Sequence, residues 1–107
     1  MMSTDNTFEG EEVIHQDAAN HFLNGEGRGG WLTLTSMRLA FRSHGNNIQN
    51  ESCDINVNEM VEAIPVYTAR VIPNGLRVET KEGDRQSFVV SNRKQWATLI
   101  NEQINTN

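Results

Sequence analysis

Residues 27–43 read GRGGWLTLTSMRLAFRS, two strand-like runs in one register around the turn Thr35-Ser36-Met37-Arg38. Leu32 and Leu34 alternate with polar residues in the first run, and Leu39 and Phe41 do so in the second. Antiparallel pairing across the turn sets Leu34 opposite Leu39 and Leu32 opposite Phe41, which makes one face of the hairpin apolar and leaves the other open. Trp31, Arg38 and Arg42 project from that open face, with Trp31 across from Arg42.

The remaining sequence supplies partners for the apolar face. Residues 1–10 are polar and are expected to fray, and strand character starts near Glu12-Val13-Ile14-His15 and runs toward Phe22-Leu23. A Gly-rich stretch at residues 24–30 reads as a flexible hairpin connection, and His44-Gly45-Asn46-Asn47 reads as a turn. Cys53-Asp54-Ile55-Asn56-Val57 alternates as a further strand. Residues 61–68 are apolar enough for another, with Pro65 assigning it to an edge or a bend. Ile72-Pro73-Asn74-Gly75 predicts a turn that releases the chain into residues 76–80. An odd-length loop around residues 81–85 then pairs Thr80 with Gln86, Val78 with Phe88 and Leu76 with Val90.

The period changes at the end of the chain. Trp96, Leu99, Ile100 and Ile104 fall at i, i+3, i+4 and i+8, one apolar stripe on a helix between about residues 92 and 105, with Asn92 and Gln95 spaced as a capping box. About seven strands and one amphipathic helix predict a mainly β sandwich or partly open barrel of two antiparallel sheets, the helix covering one end. Residues 11–105 read as a single domain, with no internal repeat and no linker dividing it.

Composition narrows the function. The 107 residues can bury a single core of ordinary size, and fourteen acidic against nine basic residues leave a net charge of −5. That balance argues against nucleic-acid binding, which needs a basic stripe to displace counterions. Cys53 is the only cysteine and has no internal disulfide partner. Together with a start that lacks a basic segment and an apolar core, this makes a cytoplasmic home, with a place peripheral to the membrane compatible with it, the expectation. No run is apolar enough to predict a transmembrane segment.

Gly30-Trp31-Leu32-Thr33-Leu34-Thr35, followed by Arg38-Leu39-Ala40-Phe41 and then Ile55-Asn56-Val57, resembles the GRAM domain family, which has a pleckstrin-homology-like fold. Ile72-Pro73-Asn74-Gly75-Leu76, Phe88-Val89-Val90 and the helical Trp96 are similar to that family's later hairpin and closing helix, so the resemblance spans roughly residues 11–104. It implies a seven-stranded pleckstrin-homology-like domain acting as a binding module. Some members bind phosphoinositides or other anionic lipids, and others serve protein contacts.

Two surfaces follow as expectations. Trp31, Arg38 and Arg42 form the preferred partner-binding face, an aromatic anchor beside guanidinium groups. The bland reading is that Trp31 covers a barrel corner with the Arg42 methylenes packed over it. Arg28, Arg38, Arg42 and His44 are the candidates for a lipid headgroup, with Arg93 and Lys94 as a second basic spot, opposed by Glu26 and by Glu9, Glu11 and Glu12. The edge strand containing Pro65 offers main-chain pairing as a second route to self-association.

Other features point to no chemistry. The glycines of residues 25–30 precede a strand rather than a helix, unlike phosphate cradles. On one continuous strand His15 and His21 would lie about 20 Å apart at roughly 3.3 Å per residue, too far for a shared metal, a separation that a bulge or turn would change. Cys53 is in phase with Ile55 and Val57 and reads as core. Glu59, Glu62, Glu79, Glu82 and Asp84 read as solvated charge without an enclosed pair for acid–base work. No cofactor and no catalytic residue is expected, and the function read is a non-enzymatic module for a protein partner, with anionic lipid as the alternative.

Overall fold

A computed structural model describes residues 8–23, 26–44 and 52–106. It contains β1 (Val13–Leu23), β2 (Glu26–Thr35), β3 (Arg38–Ser43), β4 (Ser52–Asn56), a 3-10 turn (Val57–Glu59), β5 (Met60–Thr68), β6 (Ile72–Thr80), β7 (Arg85–Val90) and α1 (Arg93–Thr106). All neighbouring strands run antiparallel in the order β4-β3-β2-β1-β7-β6-β5. The long β1 joins the two halves into one continuous sheet, pairing with β2 along its length and with β7 through Ala19 to Phe22. The sheet curls into a half-barrel, and α1 packs against β5 and β6.

The hairpin alternation sets the core. Leu34 pairs with Leu39 and Leu32 with Phe41, and all four side chains are buried. Ile55, Leu76, Val78, Phe88 and Val90 meet them from the other strands, and Trp96, Ala97 and Ile100 close the open side from α1, with Leu99 and Ile104 partly buried beside them. Trp96 is fully buried. At roughly 25 cal/mol per Å2 over about 200 Å2, it contributes at most about 5 kcal/mol to holding the helix down. Cys53 is partly buried against this core, and Val57 stays in it although β4 ends one residue earlier.

Four expectations are corrected by tertiary geometry. Residues 26–30 are not a flexible connection: they are the first half of β2, paired with residues 19–23 of β1. A Cβ on Gly30 would lie 2.7 Å from the Ser43 Cα and 2.8 Å from the Phe41 ring, so glycine is there to let β3 approach closely. Ile72-Pro73-Asn74-Gly75 is likewise not a turn. The reversal occurs four residues earlier, at Thr68-Ala69-Arg70-Val71, where the Val71 N–H donates to the Thr68 carbonyl at 3.1 Å and Ala69 and Arg70 take φ of 47° and 71°. Those signs at both central positions define a type I′ turn, the form that matches strand twist. Gly75 instead packs at a register shift in β5, where a Cβ would sit 2.8 Å from Val66 Cγ2. Pro73 lies beyond the reach of β7, where a missing donor costs nothing.

The β6–β7 register is offset by two residues from the expected one: Leu76 pairs with Phe88 and Val78 with Gln86. The same side chains still face inward, because a slip of two preserves alternation. The loop decides the register. Gly83 takes φ 93° and donates to the Thr80 carbonyl at 3.0 Å, while the Thr80 N–H meets the Asp84 carbonyl at 2.9 Å, a three-residue closure with glycine in the left-handed position. At the helix start Asn92 has φ 57° rather than the extended backbone of a capping residue, so the Asn92–Gln95 box does not form. The expected turn at residues 45–47 and the frayed residues 1–7 lie outside the described residues.

Candidate binding face

The outward residues of β2, β3 and β4 form a polar face with one large aromatic. Trp31, directly opposite Arg42, is half exposed, and its ring meets the His44 ring edge-on at 6.0 Å. Asp54 on β4 stands opposite Ala40, between the two arginines of β3. Its carboxylate accepts from Arg42 Nη1 at 2.7 Å and from Arg38 Nη1 at 2.9 Å.

Arg38 is bound a second time from the other side. Glu11, in the segment preceding β1, accepts from Arg38 Nε at 3.2 Å and Nη2 at 2.9 Å, and from the Thr35 hydroxyl at 2.6 Å. The Phe8 ring lies 5.1 Å from the Arg38 guanidinium carbon. Thr35 Oγ1 also accepts the backbone N–H groups of Met37 and Arg38, both at 3.0 Å, which fixes the turn and orients the hydroxyl. The Thr35 hydrogen bond, then the bonds and charge of Arg38, outweigh burial and hold the Glu11 carboxyl below its ordinary value. Burial would raise Asp54, but hydrogen bonding to Arg42 and the charges of Arg42 and Arg38 lower it. Arg38 is pushed up, its two carboxylate partners outweighing its desolvation.

The expected site residues thus separate. Trp31, Arg38 and Arg42 share one face, and His44 touches Trp31. Arg28 lies apart on β2, 3.5 Å from Glu26. Arg93 is buried at the helix start, its Nη1 donating to the Val66 carbonyl at 2.8 Å and its guanidinium lying 4.8 Å from the Tyr67 ring, while neighbouring Lys94 is exposed. His15 packs edge-on against Trp96 at 4.6 Å, and His21 is buried on Phe88 with Nε2 2.7 Å from the Gln86 amide oxygen. Beside His44 an open cleft of about 620 Å3 is lined by Ala18, Asn20, Gly29, Asn74 and Val89, with no Asp, Glu, Lys or Arg among its described lining residues.

Asp54 was legible in the sequence, because Cys53 and Ile55 in phase with the core force it outward. Glu11 was not, since no local pattern carries it to a turn more than twenty residues away.

β5 is an edge strand, as Pro65 indicates, yet it is closed to main-chain pairing around that proline. The Ala63 N–H donates to Asn101 Oδ1 at 2.8 Å and the Asn101 amide donates to the Ala63 carbonyl at 3.0 Å, so a helix side chain takes the place of a neighbouring strand. Pro65 has no N–H to offer, and Arg93 occupies the Val66 carbonyl. At Ala63 and Val66 the expected pairing route along this edge is therefore occupied by the protein's own helix.

Seven antiparallel strands closed by a C-terminal helix recur in solved structures. The C-terminal domain of an unknown protein from Leishmania infantum aligns with 89% of this chain and 85% of its own at TM-score 0.76 and 19% identity. The Slm1 PH domain aligns with 86% of this chain and 97% of its own at TM-score 0.67 and 9% identity. The fold is pleckstrin-homology-like. The DH/PH fragment of PDZRHOGEF, solved in complex with human RhoA, aligns at TM-score 0.70 and 14% identity, covering 91% of this chain and 30% of that one. Neither a protein-family model nor a curated protein matches the sequence. No helix among the described residues is long and apolar enough to cross a membrane.

Proposed function

We propose that this chain is a non-enzymatic binding module of the GRAM type, working in the cytoplasm, whose β2–β3–β4 face docks a protein. The observation that carries the reading is the charge balance of that face. Arg38 and Arg42 are matched by Glu11 and Asp54, leaving a half-exposed tryptophan in neutral surroundings. Capture of an anionic lipid headgroup draws on surplus positive charge, about 1 kcal/mol per basic residue in clusters of four or more. Here each of the two central arginines would first have to leave a carboxylate. A protein interface gains instead from a central aromatic ringed by satisfied polar groups. The motif Gly30-Trp31-Leu32-Thr33-Leu34-Thr35 supports the GRAM assignment, and the PDZRHOGEF DH/PH fragment, 30% of which aligns with this chain, was solved in complex with a protein, RhoA.

The test compares proteins captured by the intact chain, by a Trp31→Ala, Arg42→Ala double variant and by a Lys94→Ala control. Loss of the same protein from the double variant alone supports the face; equal retention by all three removes it. Flotation with anionic vesicles that weakens as salt rises would favour the lipid reading instead.

A further inference from the structure

Glu11 occupies a site whose donors all belong to another part of the chain. Arg38 Nε and Nη2 present a side-on fork, and the Thr35 hydroxyl, on a fully buried side chain, adds a third donor already oriented by the two turn N–H groups it accepts. Such a fork binds a planar carboxylate in two parallel bonds, which gives geometry as well as affinity. Phe8 completes the site by covering the guanidinium.

The occupant is joined to the domain more loosely than the donors are. Its main-chain link to the turn is one bond, from the Ser36 N–H to the Glu12 carbonyl at 2.9 Å. Gly10 lies between Phe8 and Glu11 at φ 86°, with nothing within 4 Å of where a Cβ would be. The β1–β2 ladder shifts register between Val13 and His15, which separates residues 8–12 from the continuous pairing that follows.

We propose that residues 8–12 are a displaceable strap filling a carboxylate site made by Thr35 and Arg38, and that a partner protein enters with an acidic side chain three residues after an aromatic one. This rests on the docking face above and names the chemistry it receives. The cis segment serves as the template: an aromatic for the guanidinium surface and a carboxylate for the fork. Because a tethered segment competes at an effective concentration of roughly millimolar, the intact chain binds such a partner weakly until the strap leaves.

The experiment uses a labelled peptide with the sequence of residues 8–12, Phe-Glu-Gly-Glu-Glu, and fluorescence anisotropy against full-length variants. Glu11→Gln and Phe8→Ala are each expected to bind it at least tenfold more tightly than the intact chain. Arg38→Lys in the Glu11→Gln background, or a peptide with Gln for its second-to-last Glu, should lose that gain. Equal affinity for intact and strap variants, or no binding to either variant at millimolar peptide, overturns the proposal.

Amide exchange of the intact chain gives a second reading that needs no variant. The Ser36 amide should exchange at least tenfold faster than that of Leu34. Matching protection of the two, lost only on global unfolding, would also overturn it. Peptide exchange that succeeds while Trp31→Ala leaves captured proteins unchanged would keep the carboxylate site and remove the docking face.

Discussion

Replacing Asn101 by Ala tests whether a side-chain amide closes the β5 edge. The substitution removes two hydrogen bonds, at 2.8 and 3.0 Å, from the backbone of Ala63, a residue only 3% exposed. Each is worth about 1 kcal/mol net, and a poorly solvated N–H or C=O left without a partner costs somewhat more, so the expected loss is about 2 to 3 kcal/mol. For a domain of this size that lowers the thermal midpoint by roughly 10 to 20 °C. Asn101→Leu separates the causes, since it keeps volume and discards the bonds. Asn101→Asp keeps an acceptor for the N–H but sets a carboxylate against the Ala63 carbonyl, so neither variant should restore stability. Urea unfolding at constant m-value measures the loss, and sedimentation over a hundredfold concentration range reports whether the uncovered edge self-associates. An Asn101→Ala chain within about 0.5 kcal/mol of the parent, sedimenting as the parent does at every concentration, would leave the amide without a part in closing the edge.

Acid should weaken the Glu11–Arg38–Asp54–Arg42 network. Both carboxyls have folded values below their ordinary 4.5 and 3.8, so their stabilisation is complete above those values and drains as pH falls through the depressed ones. Urea midpoints taken between about pH 6 and pH 3 should fall, and Glu11→Gln should flatten that decline; an unchanged slope would count against the network. Gly30→Ala should cost about 3 kcal/mol, because its Cβ meets the backbone of β3, whereas Gly29→Ala meets two side chains, the Asn20 amide oxygen at 3.2 Å and the His44 ring at 3.5 Å, and should cost less than about 1 kcal/mol; equal losses in denaturation would contradict the packing argument. Ala69→Asn with Arg70→Gly suits the left-handed turn positions and should raise stability by about 1 kcal/mol, readable as a higher thermal midpoint, with a lower one counting against a strained turn.

Which side chains face inward is legible in the order of the residues alone. Alternation at Leu32, Leu34, Leu39 and Phe41, and the helical spacing of Trp96, Ile100 and Ile104, are local properties of strand and helix geometry that need no knowledge of neighbours. That is why the inward set survived even where the β6–β7 register was two residues off. The outward Trp31, Arg38 and Arg42 followed from the same alternation.

Tertiary structure alone decided what those outward groups touch. Gly30 and Gly75 look like loop residues until the strand that must approach them is in place, and the turn moved to Ala69-Arg70 because pairing of β5 with β6 outweighed local turn preference. Glu11 and Asn101 are ordinary polar residues in sequence. One becomes the counterion of a hairpin turn and the other the substitute for a missing strand, since a partner's identity depends on contacts between segments far apart along the chain.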